Sequence, residues 1–101
     1  FGNVYLVSEE DHLIATNEQN GDNVWRNESL KNRDLSPPVV VSSFVVVSDY
    51  KGFLHVIAQT DGRFVARKRL DNKGMRAPIL ADGNRMYALG NSGRLFALEM
   101  L

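Results

Sequence analysis

Hydrophobic positions along this chain fall in short runs, each closed off by Gly, Asn, Asp or Ser. The runs are rich in Val, Leu, Phe and Tyr, and none keeps a 3.6-residue period long enough for a helix. Such a pattern belongs to strands joined by tight turns. It predicts ten strands, over roughly 4–8, 12–16, 23–27, 38–41, 44–48, 53–58, 63–69, 78–81, 85–89 and 94–99. The turn residues agree. Asn20-Gly21, Asp61-Gly62 and Asp82-Gly83 accept the positive φ that tight hairpins require. Pro37-Pro38 and Pro78 open strands, where a missing N–H is tolerated.

The strand-and-turn pattern repeats. Val45 to Val56 echoes Val4 to Ala15 and is echoed again by Met86 to Ala97. Pairing Ser8 with Ser48 gives a period of 40, and pairing Gly52 with Gly93 gives 41. Short strands at that period are the signature of β-propeller blades, and 101 residues make only about two and a half of them. The expected fold is all-β: a partial β-propeller of four-stranded antiparallel blades, labelled A to D outward from the ring axis. Residues 1–35 form a blade lacking strand A, 36–76 a complete blade, and 77–101 a last blade lacking strand D. On this reading Leu101 is a natural carboxyl end awaiting a distant strand, and Phe1 is a cut through a blade. Uncovered blade faces predict that such a piece self-associates or is marginally stable.

Within the complete blade, continuous apolarity in strands A and B predicts burial on both faces. Strand D carries Arg63, Arg67, Lys68 and Arg69, which suits a solvated outer edge that resists edge-to-edge pairing. The B–C turns and D–A connections should emerge on one face. Lys31, Arg33, Asp34, Tyr50, Lys51, Lys73, Met75 and Arg76 lie there and are the candidate protein contacts, with Tyr50 and Met75 expected to be exposed.

Charge and chemistry narrow the function. Lys plus Arg and Asp plus Glu are both 12, which argues against a nucleic-acid or anionic-membrane binder. No apolar run reaches membrane-span length. The chain opens without an initiator Met, a signal peptide or a lipidation motif, so its true amino terminus is expected to lie elsewhere. There is no Cys, which excludes disulfides and thiolate chemistry. His12 and His55 are too few for a zinc site and are expected to be ordinary strand residues. Glu9-Glu10-Asp11 lacks the ligand alternation of a calcium loop and is expected to be a solvated hairpin tip. Nothing orders a catalytic set, a phosphate loop or a dinucleotide fingerprint. No catalytic, cofactor-binding or metal residue is assigned.

Ala15 to Trp25 resembles the tryptophan-docking repeat of quinoprotein-type propellers, with Ala15, Gly21 and Trp25 matching. In that repeat the glycine makes the C–D turn and the indole packs on the neighbouring blade. Gly21, Trp25, Gly52, Gly62 and Gly93 are therefore assigned to blade building. A longer resemblance runs through Trp25 to Leu30, Leu35 to Val40, Val46 to Val56, Asp61 to Ala66 and Gly90 to Leu98. These segments resemble the carboxyl-terminal blades of the BamB family, the propeller lipoproteins of the outer-membrane β-barrel assembly machine. The resemblance implies an eight-bladed, non-catalytic scaffold without a cofactor, on the periplasmic side of the bacterial outer membrane. It implies BamA POTRA domains and unfolded outer-membrane proteins as partners, no nucleic acid, and membrane attachment only through a lipid anchor absent from this chain. The family's main BamA contacts are implied to lie upstream of these blades, so none is carried onto these residues. The alternative is a blade fragment of a quinoprotein dehydrogenase, whose vicinal Cys pair and calcium ligands are not found here.

Overall fold

The computed structural model describes residues 3–75 and 77–100. They hold ten strands: β1 (Asn3–Val7), β2 (Leu13–Asn17), β3 (Asn23–Asn27), β4 (Val39–Val41), β5 (Phe44–Ser48), β6 (Phe53–Ala58), β7 (Phe64–Arg69), β8 (Leu80–Asp82), β9 (Arg85–Leu89) and β10 (Leu95–Glu99). Three antiparallel meanders result, in the orders β1-β2-β3, β4-β5-β6-β7 and β8-β9-β10. The expected ends Phe1 and Leu101 lie outside the described residues.

Every strand recurs in register 41 residues on, from β1 to β5 to β9 and from β4 to β8. Even the irregularities repeat. A register shift falls between Ala15 and Thr16 and again between Val56 and Ile57, leaving Val24 and Val65 as the unpaired outer residues. A bulge there adds twist and blunts the outer strand. The period of 40 read from Ser8 and Ser48 is thereby corrected. Ser8 is equivalent to Asp49 and Gly90, because each accepts from the residue three on and donates to the carbonyl four on. Ser48 ends strand β5 and matches Val7.

Two apolar layers hold the three sheets together. Leu13, Ala15 and Trp25 of the first sheet, with Leu30 from the connection that leaves it, meet Val45, Val47 and Ile57 of the second. Val41, Val46, Leu54 and Val56 meet Met75, Ile79, Met86 and Ala88 on its other side. Strand β5 thus supplies alternate valines to opposite neighbours, and β5 and β6 are buried on both faces. Strand β7 is exposed along its whole length. The innermost strand is a correction: Val40 of β4 is 47% exposed. It pairs with Val45, so it faces the first sheet, whose described strands begin only at β1.

Candidate functional site

The turns and connections at one end of the sheets are stitched to each other. Asn32 N–H donates to Glu10 O, and Tyr50 N–H donates to Arg33 O. One repeat further on, Asn91 N–H donates to Gly74 O. Carboxylates reinforce these backbone joints. Asp11 accepts from the N–H groups of Asp34 at 3.1 Å and Leu35 at 3.0 Å. Asp71 accepts from the N–H and hydroxyl of Ser92 and from Lys73 N–H. Those bonds, the Ser92 hydroxyl first, hold the Asp71 carboxyl below the usual aspartate range. Asp11 is half-buried, which corrects the expected solvated tip at that residue, while Glu9 and Glu10 are exposed.

Asp49 is the most heavily committed side chain on this end, and it is fully buried. Its Oδ1 accepts from the N–H groups of Lys51 and Phe53, both at 3.0 Å, and so forms the turn. Its Oδ2 meets Arg33 Nη1 at 3.0 Å and His55 Nε2 at 2.7 Å. His55 is also fully buried, and its Nδ1 has no partner. Burial pushes the Asp49 carboxyl up, but the bonds from His55, Phe53 N–H and Arg33 outweigh it and hold the group below 3.8. Burial pushes His55 below 6.5, against the upward pull of Asp49 and together with the charges of Arg33 and Arg67. The consistent state is a neutral imidazole donating Nε2–H to an ionised carboxylate, with Nδ1 left as a lone pair.

Acid therefore undoes this cluster in two steps. Below pH 6.5 the unfolded histidine takes up a proton that folded His55 refuses, so stability falls from there down to the folded histidine's pKa. Below 3.8 the same holds for Asp49, and its contribution is lost as pH falls through its lowered value. Urea midpoints of the intact protein measured from pH 7.5 to 3 should fall through both windows. His55→Gln should remove up to about 1.4 kcal/mol per pH unit of the upper slope. An unchanged slope would show that His55 does not titrate on unfolding.

The predicted contact residues divide. Lys31, Asp34, Lys51 and Lys73 are exposed, and Tyr50 is 45% exposed with Lys51 Nζ 5.8 Å from its ring centre. Arg33 is half-buried and gives one guanidinium nitrogen, Nη1, to Asp49. Met75 is a correction: it is 2% exposed and belongs to the layer between the second and third sheets. Its connection tucks inward through a bridge to Gly90, and an apolar side chain there gains more from the core than from water. Arg76 lies outside the described residues. The sequence reading missed Asp49, His55 and Asp71 as buried joints. The available signal was the Asp49-x-x-Gly52 turn, a spacing that lets one carboxylate satisfy the turn's own N–H groups.

A second joint closes the opposite end. Trp25 Nε1 donates to Gln59 O at 2.7 Å, and Asn27 Nδ2 donates to Gly62 O at 2.8 Å. Tyr5 OH donates to Gln59 Oε1 at 3.2 Å, and its ring lies 5.9 Å from Trp25. Gly62 lies directly under the indole: a Cβ there would be 2.5 Å from Trp25 Cε3. The tryptophan is thus fixed by a bond, a tilted aromatic neighbour and a glycine seat, and no ligand is needed to explain it. Among the described residues, no group of three or more His, Asp or Glu is placed to hold a metal ion.

A family model described as outer membrane protein assembly factor BamB matches residues 9–101. The chain belongs to the BamB family. Named BamB relatives include one from Pseudomonas aeruginosa, 41% identical across 96% of this chain, and one from Yersinia pestis, 35% identical across 95%. The crystal structure of BamB from Moraxella catarrhalis superposes with a TM-score of 0.89 over 99% of this chain at 26% identity, covering 30% of that structure. The three sheets are therefore part of a BamB-type propeller. This BamB-family chain spans about a quarter of the length of the curated relatives it matches. Those relatives are named assembly factors, not enzymes, which decides against the dehydrogenase reading of the repeat.

Proposed function

We propose that this chain is part of a non-catalytic, eight-bladed scaffold that helps insert β-barrel proteins into the bacterial outer membrane from its periplasmic side. The observation that carries the reading is the 41% identity to a protein named as an outer membrane assembly factor, sustained along 96% of the chain. The rigid, cross-stitched loop end fits that role, since recognition commonly sits on loops held by a stiff framework. Its exposed Lys31, Asp34, Tyr50, Lys51 and Lys73 form a contact surface for unfolded outer-membrane proteins, apart from the family's main BamA contacts upstream. The apolar residues left open on the outer sheets, Val4 and Leu6 on one and Leu80, Leu89 and Leu95 on the other, are covered by further blades in the intact ring.

The intact protein should retain the periplasmic domains of BamA in a pull-down. Tyr50→Ala in the intact protein should weaken binding of an unfolded outer-membrane protein by about fivefold to thirtyfold, as for an interface residue worth about 1–2 kcal/mol, and unchanged binding would remove Tyr50 from the contact surface. Failure of a folded, intact protein to bind BamA would overturn the assignment of that partner.

A further inference from the structure

Between the outer strand of the second sheet and the connection leaving the first lies a cavity of about 420 Å³. Ser29, Leu30 and Arg33 line one side, residues Phe64 to Arg67 of β7 the other, and His55 contributes to the wall. Both sheets that form it are within this chain.

The lining has a consistent chemistry. Arg33 uses Nη1 on Asp49, and no other bond engages its guanidinium among the described residues. Arg67 has no carboxylate partner among the described residues and rests on the Phe53 ring, 5.1 Å from its centre. Phe53, His55 and Phe64 form an aromatic row, with centroids 6.2 and 6.1 Å apart. The one carboxylate facing His55, Asp49, is fully buried and already committed to Arg33, His55 and the turn. The groups facing the imidazole are thus Asp49 from its turn, Arg33 from the connection and Arg67 from β7. Two cations, Arg33 and Arg67, thus line a space walled by Leu30, Phe64, Val65 and Ala66, and no acid lines it among the described residues. His55 there carries a buried Nδ1 without a partner.

We propose that this inter-blade cavity receives the carboxylate of an acidic side chain presented by a partner protein, held between Arg33 and Arg67. Guanidinium groups recognise carboxylates by paired, charge-assisted bonds, and an apolar surround strengthens them. The aliphatic stem of a glutamate or aspartate and its neighbouring residue fit against Leu30 and Phe64, and the volume lies within the range of ordinary ligand pockets. Arrival of a negative charge beside His55 favours the imidazolium through its field alone, since the ring is fully buried. The proposal rests on the protein-partner reading above and adds the chemistry of one contact.

The test is a titration of the intact protein, labelled with ¹⁵N-histidine, with the peptide acetyl-Ala-Leu-Glu-Ala-amide. Its Gln counterpart and sodium acetate serve as comparisons. The Glu peptide should move the His55 ring-nitrogen signals toward the imidazolium position, and the Gln peptide should leave them unchanged. Arg67→Gln, at an exposed strand position, should weaken the response at least fivefold without altering the fold. Equal responses to Glu and Gln peptides would overturn the carboxylate assignment. Acetate acting as strongly as the Glu peptide would overturn the side-chain source. A silent His55 in a protein that still retains BamA would overturn this site alone and leave the scaffold function standing.

Discussion

Replacing Asp49 with alanine is expected to destabilise the intact protein by about 3–5 kcal/mol, the range for removing one partner of a buried ion pair. The loss is compound. The guanidinium of Arg33 and the Nε2–H of His55 lose their shared acceptor, and the N–H groups of Lys51 and Phe53 lose theirs. His55 is wholly buried, so water cannot replace the missing oxygen there. Asp49→Asn separates the two halves of the role. It keeps an oxygen for the turn but sets an amide nitrogen against His55 or Arg33, so it should recover only part of the loss. Urea denaturation gives the totals, and hydrogen exchange at Lys51 and Phe53 tells whether the turn itself opens. A cost below about 1 kcal/mol for the alanine variant would mean the cluster relaxes freely, contrary to its burial.

Trp25→Ala should cost about 3–5 kcal/mol, as for other large aromatic truncations in a core. It empties the layer between the first two sheets and removes the bond to Gln59 O. Gly62→Ala attacks the same joint from below. Its φ of +77° disfavours any side chain, and the new methyl would press into the indole. A cost of about 2–4 kcal/mol follows from left-handed strain plus overpacking. In a Trp25→Ala background the clash disappears and only the strain remains, about 1–2 kcal/mol. The double-mutant cycle should therefore show strong non-additivity. Additive costs would mean that Gly62 is kept for its turn alone.

All ten strands and the turn glycines were legible because the alternation of apolar runs with Asn-Gly and Asp-Gly pairs is a local signal. What escaped depended on equivalence across the fold. Ser8 and Asp49 occupy one structural position because a hydroxyl and a carboxylate can both accept the turn's N–H, yet matching by identity pairs Ser8 with Ser48. Met75 looks like a loop residue until the bridge to Gly90 turns it inward. Val40 reads as core from its apolar run alone, although the missing inner strand of the first blade, itself expected from the repeat, leaves it open. His55 reads as one polar residue in an apolar strand, and only the arrival of Asp49 and Arg33 from separate loops makes it a buried network. Binary pattern records which face is buried; it does not record which loop arrives there.

The stitching of turn to connection also bears on how such rings can be rebuilt. Asp11, Gly52 and Gly93 occupy one left-handed position in successive turns. At the first joint a side chain is required, since Asp11 reaches across to two backbone N–H groups. At the next joint a side chain is impossible, because a Cβ on Gly52 would fall 1.6 Å from Asp71 O. Two joints one period apart thus carry fasteners that do not interchange. A recombination event that cuts within a hairpin turn would pair one repeat's turn with the other's connection and jam or unlatch the joint. Gene duplication, or a designed blade swap, should instead cut inside a strand, so that each turn travels with the connection that it fastens.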